Sequence, residues 1–553
     1  MAEVVLERRD DQGVGLVSAE GALSHAEVTA AASARAAWLA DRRRPGPFHV
    51  AVLLGNSPEF VFFLGAAALT GAVVVGANPT HRGDELARDL AHTEVQLLVT
   101  STSLLPLVEG LDLGPAFGTA GSASDRVLVV DTPEARATLS PFTGAAPPDP
   151  AATGVNPRSL GWLLFTSGTS GAPKACRCTQ GRMAGIAQHL VNMMSLTSED
   201  VCYLAMPLFH SNALMVGWSP ALYAGSTAAL PTGGKFSASG FLDDVRRFGV
   251  TYFNYVGKPL AYILATPERP DDADNPLVRT FGNEGTIRDA ERFAERFGCT
   301  VTDSYGSTEG GATVSRTPDT PPGALGRARP ESETVIVDPG TGEERPPARF
   351  DDAGRLLNPE EAIGELVDKR GTAGFEGYWH NEEAERERTR DGWYWTGDLA
   401  YRDEAGFIYF AGRGGDWLRV DGENFAAAPV ERILLRYPDV VLAAVYPVPD
   451  PVVGDSVMAA LQLRPGADFD PIFFAGFLAE QPDLGTKWAP RFVRVADELP
   501  VTATAKVLKR VLRSERWHGP DPVWWRPEPT APYRRLEEAD AAALDRATAD
   551  RVL

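Results

Sequence analysis

Residues 165–174, FTSGTSGAPK, combine four hydroxyl side chains, two glycines and a terminal lysine. Glycine lets successive backbone N–H groups converge on an anion, hydroxyl groups add further donors, and lysine adds positive charge. The segment is not a Walker A loop, because Gly168 and Gly171 are too close and proline, not glycine, precedes Lys174. Taken alone, the stretch fits either an anion cradle or a Ser/Gly-rich loop without a ligand.

Five further segments carry carboxylate, hydroxyl, imidazole or cationic side chains in a fixed order along the chain. They are MPLFHSNA (206–213), DSYGSTEGG (303–311), YWTGDLAYRD (394–403), GRGGDWLRVDGEN (412–424) and PVTATAKVLKR (500–510). Together with FTSGTSGAPK, they resemble the adenylate-forming superfamily of acyl-CoA synthetases, nonribosomal adenylation domains and luciferases. The resemblance runs from about residue 20 to residue 515.

A finer resemblance concerns the branch of this superfamily. The segment FGNEGTIRDAERFAERFG (281–298), followed by the Ser/Thr-Glu-Gly motif, is similar to the fatty-acid-transport and very-long-chain acyl-CoA synthetases. The TATAK segment and the DPVWWR tail also look similar to that branch.

The resemblance implies a two-step ligase reaction. A carboxylate attacks the α-phosphorus of ATP, giving acyl-AMP and pyrophosphate, and the thiol of coenzyme A then attacks the acyl carbon. ATP, Mg²⁺, coenzyme A and a fatty or other hydrophobic acid are the implied cofactors and substrates. Two alternatives stay open: an acyl-AMP ligase that loads a separate acyl carrier protein, and a lipid-uptake protein with a non-catalytic nucleotide site.

Both reactants of the first step are anions, so the protein must neutralise charge and hold them in line. By resemblance, Thr308 would donate to the α-phosphate and Glu309 would coordinate Mg²⁺, a hard cation that prefers oxygen ligands. The residues that would hold the β- and γ-phosphates are Thr166, Ser167, Gly168, Thr169, Ser170, Gly171 and Lys174.

The nucleoside end of ATP is assigned in the same way. Asp398 would accept the ribose hydroxyls, and Arg413 would add a second ribose or phosphate contact. Tyr305 would stack on adenine. The remaining contacts implied near the base are Gly282, Asn283 and Glu284, and Gly306 and Ser307 complete the implied ATP contacts. Here the sequence GNEGT departs from the patterns more common in the family.

Lys506 is the implied catalytic lysine. Its ammonium would bridge the acyl carboxylate and the α-phosphate, where charge shifts in the transition state. Ala505 stands where the family often has glycine. Asp416 would be the hinge that lets a small domain carrying Lys506 swing between the two half-reactions, and His210 would lie near the acyl carboxylate.

Composition limits the other functions. The formal charge of −21, from 53 basic and 74 acidic side chains, argues against nucleic acid or anionic lipid as general partners. The four cysteines have no zinc-site spacing and are expected to be reduced thiols. The N-terminal residues do not resemble a secretory signal. We therefore expect a cytoplasmic enzyme without an integral membrane segment.

The elements that must position these residues follow from hydrophobic patterning. Apolar β-like runs alternate with helical stretches through the first 300 residues, which predicts α/β layers with mainly parallel sheet. The apolar stretch Phe60–Ala77 is just long enough for a membrane span, but Thr70-Gly71 divides it into a helix-like and a β-branched half. We expect a buried helix and a central strand there, and a loop at 135–160.

The predicted fold class is α/β, with a large N-terminal domain of layered α/β subdomains and a small, mobile C-terminal α+β domain. The large domain would span residues 1–413 and include a β-rich subdomain at about 318–413. A hinge at 414–417, a small domain at 418–517 and a tail at 518–553 complete the predicted organisation.

Overall fold

The structure is a computed structural model of the 553-residue chain. It describes residues 1–118, 125–166, 173–283, 287–317, 319–329, 332–351, 356–370, 374–413, 417–420, 423–450, 454–481, 484–485, 487–502, 507–528 and 531–548.

The chain forms two compact units. Unit 1 comprises Met1–Asp303, Ser307–Gly310 and Gly374–Glu387, and unit 2 comprises the remaining segments, Ser304–Gly306, Gly311–Ala373 and Arg388–Leu553. We call the segment Gly374–Glu387 the strap, because it belongs to unit 1 although its neighbours in sequence belong to unit 2.

The first part of unit 1 alternates strands with helices, as the sequence predicts. Its elements are α1 (Ala2–Glu7), β1 (Val14–Ser18), β2 (Gly21–Ser24), α2 (His25–Arg42), β3 (His49–Leu53), α3 (Pro58–Thr70), β4 (Val73–Gly76), α4 (Asp84–His92), β5 (Val95–Thr100), β6 (Val127–Val129), α5 (Pro133–Leu139), α6 (Pro150–Thr153), β7 (Leu160–Thr166) and β8 (Lys174–Thr179). One sheet has the order β6-β5-β3-β4-β7-β8. All its pairs are parallel except the antiparallel β7–β8 pair.

The apolar stretch Phe60–Ala77 is a helix followed by a strand, which confirms the predicted division. Helix α3 ends at Gly71, whose φ of 71° is the left-handed conformation that glycine adopts without strain. Strand β4 follows between β3 and β7, and all four of its residues are buried. Within the described ranges, no helix is long and apolar enough to cross a bilayer.

The stretch 135–160 was expected to be a loop, and this prediction is wrong where α5 and α6 form. The Thr132 hydroxyl accepts the Ala135 N–H at the start of α5, and the Asp149 carboxylate accepts the Ala151 N–H at the start of α6. Each cap is followed by proline, whose fixed φ suits the first helical turn. The same Pro-rich composition that indicates a loop therefore marks two helix starts.

The second part of unit 1 contains the other large sheet. Its elements are α7 (Gln180–Met194), β9 (Val201–Tyr203), a π-helical segment (Ala213–Trp218), α8 (Ser219–Ala224), β10 (Thr227–Ala229), α9 (Phe241–Phe248), β11 (Tyr252–Val256), α10 (Pro259–Leu264), β12 (Arg279–Asn283), α11 (Ile287–Phe297) and β13 (Thr300–Asp303). The sheet order is β13-β12-β11-β9-β10-β1-β2, parallel throughout except for β1–β2. Three predicted site segments follow the carboxyl ends of β9, β12 and β13, where α/β proteins place their ligands.

Unit 2 is rich in antiparallel strands. From residue 314 onward, the elements of the chain are β14 (Val314–Ser315), β15 (Arg327–Ala328), β16 (Thr334–Val337), α12 (Pro359–Ala362), β17 (Gly364–Asp368), α13 (Glu382–Arg388), β18 (Thr389–Arg390), β19 (Trp393–Arg402), β20 (Ile408–Arg413), β21 (Trp417–Val420), β22 (Glu423–Ala426), α14 (Ala427–Leu434), β23 (Val440–Asp450), β24 (Gly454–Leu463), α15 (Pro471–Ala479), β25 (Phe492–Ala496), α16 (Lys509–Glu515), β26 (Val523–Trp525), β27 (Arg534–Arg535) and α17 (Glu538–Thr548).

These strands form two main sheets. The first has the order β16-β17-β19-β18, with β20 paired to β19. The second has the order β22-β21-β24-β25-β26-β27, with β23 paired to β24. The tail aromatics pack onto the second sheet: the Trp525 ring lies 5.9 Å from that of Phe492, and the buried Tyr533 hydroxyl donates to the Pro490 carbonyl. Strands β26 and β27 therefore extend the sheet beyond residue 517.

Candidate active site

The segment FTSGTSGAPK is the connection of a β-hairpin. Strands β7 and β8 pair antiparallel, and Thr166 lies directly opposite Lys174. A Walker A loop leads from a strand into a helix, so the hairpin confirms that this segment has a different construction. The hairpin places one hydroxyl and the lysine as neighbours at the start of the predicted anion cradle. Residues 167–172 lie outside the described residues.

Lys174 is buried, and its ammonium is paired within unit 1. Its side chain is 9% exposed, and Nζ lies 3.3 Å from Oε2 of Glu387 on the strap. A lysine held in this way already has a counter-ion, so its charge is partly neutralised before any phosphate binds. This pairing is a physical reason to expect a smaller contribution of Lys174 to phosphate binding than its position in the motif suggests.

Glu309, the predicted Mg²⁺ ligand, is buried and accepts a hydrogen bond from the strap. Its residue exposure is 6%, and the hydroxyl of the fully buried Tyr378 donates to Oε1 at 2.8 Å. Within the described part of the chain, no other hydrogen bond reaches this carboxylate. Among the described residues, Tyr378 thus holds one oxygen of this carboxylate, and the other oxygen accepts no hydrogen bond.

Thr308, the predicted α-phosphate donor, is held at both its side chain and its backbone. Its hydroxyl lies 2.7 Å from that of Ser211, and its carbonyl accepts a hydrogen bond from the Arg182 guanidinium at 2.5 Å. The same carbonyl lies 3.6 Å from the Cys176 thiol. Arg182 also donates to the Arg177 carbonyl at 3.1 Å, so it ties β8 to the segment that carries Thr308.

The two glycines after Glu309 allow close packing. A Cβ on Gly310, whose φ is +75°, would lie 2.5 Å from the Arg182 guanidinium. A Cβ on Gly311 would lie 2.0 Å from the Tyr394 ring, whereas one on Gly306 would meet no atom of the described residues within 4 Å. Gly310 and Gly311 therefore serve packing.

The predicted adenine segment lies at the end of β12. Gly282 pairs with Tyr255 on β11 and with Asp303 on β13, and a Cβ on Gly282 would overlap the Tyr255 ring at 2.4 Å. The Tyr255 hydroxyl in turn donates to the Asp303 carboxylate at 2.6 Å. Asn283 ends the strand, and its carbonyl accepts the Gly257 N–H at 3.0 Å. Glu284 lies outside the described residues.

Asp398, the predicted ribose ligand, lies on β19 of unit 2 opposite Arg413 on β20. The two residues assigned to the ribose are therefore cross-strand partners. The Tyr305 hydroxyl donates to the Asp398 carboxylate at 2.6 Å. Burial, together with the adjacent Asp398 charge, raises the pKa of Tyr305 well above its ordinary value, so this hydroxyl stays protonated and continues to donate.

The backbone around Asp398 is fixed by polar contacts within unit 2. The Thr396 hydroxyl accepts the Asp398 N–H at 3.0 Å and donates to the Leu366 carbonyl at 2.7 Å. Gly397, whose φ is +72°, donates its N–H to the Glu365 carboxylate at 2.8 Å. Burial raises the pKa of Glu365, partly offset by that hydrogen bond. The Thr-Gly-Asp motif is thus a bent strand, not a free turn.

His210 lies beside Phe209, with 4.7 Å between the ring centroids, and its carbonyl accepts the Leu214 N–H at 3.3 Å. It precedes the π-helical segment Ala213–Trp218, a helix type that often marks functional sites. The amide of Asn212, which immediately precedes the π-helical segment, donates to the Tyr255 carbonyl at 3.1 Å and fixes this segment to β11.

Like residues 167–172 and Glu284, the predicted catalytic lysine Lys506 and the predicted hinge Asp416 lie outside the described residues. The residues flanking the lysine loop are described. Val501 and Val507 form an antiparallel bridge, and Leu508 N–H donates to the Pro500 carbonyl at 2.7 Å. The ends of the loop that carries Lys506 are therefore held together.

Three residues of the site were missed by sequence reasoning: Tyr378, Arg182 and Ser211. None belongs to the residues singled out in a motif as a ligand, and each acts by holding Glu309 or Thr308. Only Ser211 carried a signal, because it lies within the segment MPLFHSNA. The four cysteines are free and buried, as expected for reduced thiols.

Comparison with known proteins identifies the family. Residues 6–379 match the AMP-binding enzyme family, and residues 429–506 match the AMP-binding enzyme C-terminal domain. The chain is 51% identical over 546 residues to steroid-22-oyl-CoA synthetase of Rhodococcus jostii strain RHA1, covering 99% of this chain and 96% of that protein. It is 50% identical over 496 residues to medium/long-chain-fatty-acid–CoA ligase FadD17 of Mycobacterium tuberculosis H37Rv, covering 89% and 91%.

The predicted branch is not singled out by these comparisons. Human long-chain fatty acid transport protein 5 is 31% identical over 486 residues, covering 83% of this chain and 68% of that protein. This identity is well below the 51% and 50% shared with the two bacterial ligases. The superfamily assignment is therefore confirmed, and the fatty-acid-transport branch is not.

The fold agrees with a solved structure of the same family. ATP-bound MatB from Rhodopseudomonas palustris matches with a TM-score of 0.77 at 25% identity, covering 93% of this chain and 98% of that one. This similarity confirms the predicted α/β fold class with a large N-terminal and a small C-terminal domain. The chain belongs to the AMP-binding enzyme family and is an AMP-forming acyl-CoA synthetase, an acid–thiol ligase that works through an acyl-AMP intermediate.

Proposed function

We propose that this enzyme activates a large hydrophobic carboxylic acid, either a steroid-22-oic acid or a medium- or long-chain fatty acid. The observation that carries the proposal is the identity of about one residue in two, over most of both chains, to ligases named for such acids. By this criterion its substrate belongs with those of the two bacterial ligases rather than with the fatty-acid-transport branch.

Glu309 fits a role in holding Mg²⁺ that arrives with ATP. Within the described ranges, no group of three or more His, Cys, Asp or Glu side chains could hold a metal ion by itself. Mg²⁺ is commonly bound by one or two carboxylates together with substrate phosphates and water. A single buried carboxylate with one oxygen already occupied by Tyr378 suits that arrangement. When bound, the ion would supply neutralisation of phosphate charge.

The phosphate contacts are proposed for Thr308 and for the hairpin connection 166–174. The Thr308 hydroxyl is held against Ser211, so it is oriented before ATP binds. Lys174 would contribute to the field around the phosphates while remaining near Glu387. We assign the remaining hydroxyls and glycines of this connection to the β- and γ-phosphates on the basis of the family resemblance.

The nucleoside contacts are proposed for residues at two places in the chain. Asp398 would accept the ribose hydroxyls, with Arg413 opposite it on the neighbouring strand. Gly282, Asn283 and Glu284 would lie near the base, and Gly306 and Ser307 are proposed as further ATP contacts. The Tyr305 hydroxyl is engaged by Asp398, so we propose that its ring contacts adenine while its hydroxyl holds the ribose ligand in place.

Lys506 is proposed as the catalytic lysine and Asp416 as the hinge. Lys506 would stabilise the charge that shifts between the acyl carboxylate and the α-phosphate. His210 would lie near that carboxylate. We also propose the domain limits 1–413, 418–517 and 518–553, joined by the hinge at 414–417.

Pyrophosphate release with a panel of acids tests this function. The panel contains a steroid-22-oic acid, palmitate, octanoate, malonate and benzoate, each with and without coenzyme A. We expect release with at least one of the first three acids and formation of the corresponding CoA thioester. Adenylation without consumption of coenzyme A would favour transfer to a carrier protein. No adenylation with any hydrophobic acid would contradict the proposal.

A further inference from the structure

We propose that Tyr378, on the strap, is a positioning residue that fixes the orientation of Glu309, so that one carboxylate oxygen is presented to the metal and phosphates of ATP. The inference rests on the proposed metal-binding role of Glu309. Tyr378 lies in the segment FEGYWHN, outside all the motifs that indicated the function.

The contact itself has the geometry of a strong hydrogen bond. The Tyr378 hydroxyl donates to Glu309 Oε1 at 2.8 Å, and exposures of 0% and 6% exclude most solvent from both residues. Hydrogen bonds to an ionised acceptor are roughly twice as strong as neutral ones. A glutamate side chain has several rotatable bonds, and within the described residues this is the one hydrogen bond that restricts its carboxylate. Without the hydroxyl, the carboxylate would gain orientational freedom.

Tyr378 is itself held in place from three sides within unit 1. Its backbone bridges that of Cys176 on β8 in antiparallel fashion. Its N–H donates to the Glu385 carboxylate at 2.7 Å, and its ring packs 5.1 Å from the Phe375 ring. A donor fixed in this way can impose its geometry on a neighbour, whereas a mobile one would follow it.

The strap is attached to β8 on both sides of Tyr378. Arg177 N–H donates to the Gly377 carbonyl at 3.0 Å, and Trp379 N–H donates to the Ala175 carbonyl at 2.8 Å. Strand β8 leaves the hairpin connection that we assign to the phosphates. The same backbone pairing therefore holds the phosphate hairpin and the tyrosine that orients Glu309.

The glutamate Glu376 strengthens this attachment. Its carboxylate accepts both the N–H and the hydroxyl of Thr179, at 2.7 and 2.6 Å. Since Thr179 is also the N-cap of α7, the strap is fixed where β8 ends and the helix begins. Hydrogen bonds of 2.6 to 3.0 Å therefore join β8 to the strap, and the strap to Glu309.

A purely structural tyrosine would explain the same contact, and the chain offers a matched control. Tyr203 is also fully buried in unit 1, and its hydroxyl donates to the Asp244 carboxylate at 2.7 Å. Asp244 has no proposed role in ATP binding. Tyr203→Phe therefore removes the same type of hydrogen bond without affecting Glu309.

The test compares ATP binding by the full-length protein in excess Mg²⁺ and in excess EDTA, using isothermal titration calorimetry. We expect Tyr378→Phe to weaken binding of the Mg²⁺ complex about fivefold and to change binding of metal-free ATP less than twofold. Tyr203→Phe should leave the ratio of the two dissociation constants at the wild-type value.

Equal weakening of both forms of ATP by Tyr378→Phe would assign the tyrosine to packing and overturn the proposal. Glu309→Gln separates the proposed metal role of Glu309 from the proposed positioning role of Tyr378. If it loses the Mg²⁺ preference while Tyr378→Phe keeps it, the positioning role fails and the metal role stands. If Glu309→Gln also keeps the preference, the proposed metal role of Glu309 fails.

A second variant keeps the test decisive if Tyr378→Phe does not fold, which its thermal denaturation would show. Glu309→Asp withdraws the carboxylate from the tyrosine hydroxyl without altering the strap. We expect the same selective loss of binding to the Mg²⁺ complex. A wild-type ratio for Glu309→Asp would show that carboxylate orientation is unimportant and would overturn the proposal.

Discussion

Glu309 in unit 1 and Asp398 in unit 2 are two carboxylates assigned to opposite ends of ATP, and both accept a hydrogen bond from a tyrosine. The distances are 2.8 Å from Tyr378 and 2.6 Å from Tyr305. Their surroundings differ. Glu309 is buried at 6% exposure, whereas Asp398 is partly exposed and lies in a β-ladder opposite Arg413.

The difference indicates how one type of pair can serve two ligands. A buried carboxylate with few donors keeps a strong local field, which suits a cation. A carboxylate in a polar, partly exposed strand suits neutral hydroxyl groups, which bind through hydrogen bonds and need access. In each pair the tyrosine hydroxyl restricts the carboxylate, and under the proposed assignments the environment of the carboxylate would select its ligand.

The largest effect on adenylation is expected at Lys506, which lies outside both carboxylate–tyrosine pairs. It is the reference with which the smaller effects at the two pairs are compared. Lys506→Ala should lower the rate of acyl-AMP formation by about 10³-fold or more, because it removes the cation at the reacting centre. Thioester formation from supplied acyl-AMP should stay within about twofold of wild type. Pyrophosphate exchange and a single-turnover thioester assay measure the two halves.

Lys174→Ala is the matched control for that variant. It should cost at most about tenfold in adenylation rate, because the Lys174 ammonium is already paired with Glu387 at 3.3 Å. A larger loss for Lys174→Ala than for Lys506→Ala would contradict the assignment of the reacting centre.

Glu309→Gln should cause the next largest loss of adenylation rate. We expect the kcat of adenylation to fall about 10²-fold, because an amide oxygen is a poor ligand for Mg²⁺ compared with a carboxylate. The effect should depend on Mg²⁺ concentration and little on the sugar of the nucleotide. Initial rates over a Mg²⁺ series measure both. A loss of rate that is independent of Mg²⁺ concentration would contradict the assignment of Glu309 as a metal ligand.

Asp398→Asn should act mainly on nucleotide affinity. Loss of charged hydrogen bonds to the ribose is expected to raise KM for ATP about 10- to 50-fold, with a smaller change in kcat. Discrimination between ATP and 2′-deoxy-ATP should decrease in the variant. If Asp398→Asn and Glu309→Gln showed the same division between kcat and KM, the comparison of the two carboxylates would fail.

Two glycines near these carboxylates test local shape. Gly311→Ala should lower stability by about 1–3 kcal/mol and the melting temperature by several degrees, because its Cβ would lie 2.0 Å from the Tyr394 ring. Gly306→Ala should leave the melting temperature unchanged, since nothing lies within 4 Å of its Cβ. Differential scanning fluorimetry measures both. Equal destabilisation would contradict the packing assigned to Gly311.

The smallest effect is expected at Glu387, whose side chain is 54% exposed. Glu387→Gln removes the counter-ion of Lys174, and a partly exposed pair contributes little to stability. KM for ATP should fall by less than about threefold, because the freed ammonium attracts phosphate. A marked rise in KM would show that Glu387 orders Lys174 for binding and does not compete for it.

Much of the fold could be predicted from local sequence. Alternating apolar runs identified β3, α3, β4, α4 and β5, because burial imposes a period that the sequence must carry. The division of Phe60–Ala77 at Gly71 was also visible, since glycine accommodates the left-handed turn there. The helices within 135–160 were missed, because short capped helices have too few residues to show a period.

The candidate site likewise contains residues that the sequence reveals and residues that only the fold reveals. The side chains that we propose as ligand contacts, such as Thr308, Glu309 and Asp398, lie in glycine-rich segments whose composition is unusual enough to be recognised. The residues that hold them, such as Tyr378, Arg182 and Ser211, have ordinary composition. Their role arises only when distant parts of the chain come together, as when Tyr378 meets Glu309 across 69 residues of sequence.

By itself, the sequence determined the reaction class and the order of the motifs, and it supplied the side chains that we propose as ligand-binding residues. These depend on chemical groups and short spacings, which the chain carries directly. Only the tertiary structure decided that Lys174 is paired with Glu387 and that Tyr378, on a strap paired with β8, donates a hydrogen bond to Glu309. Hydrogen bonds and ion pairs form between groups brought together by folding, and no local pattern specifies their partners.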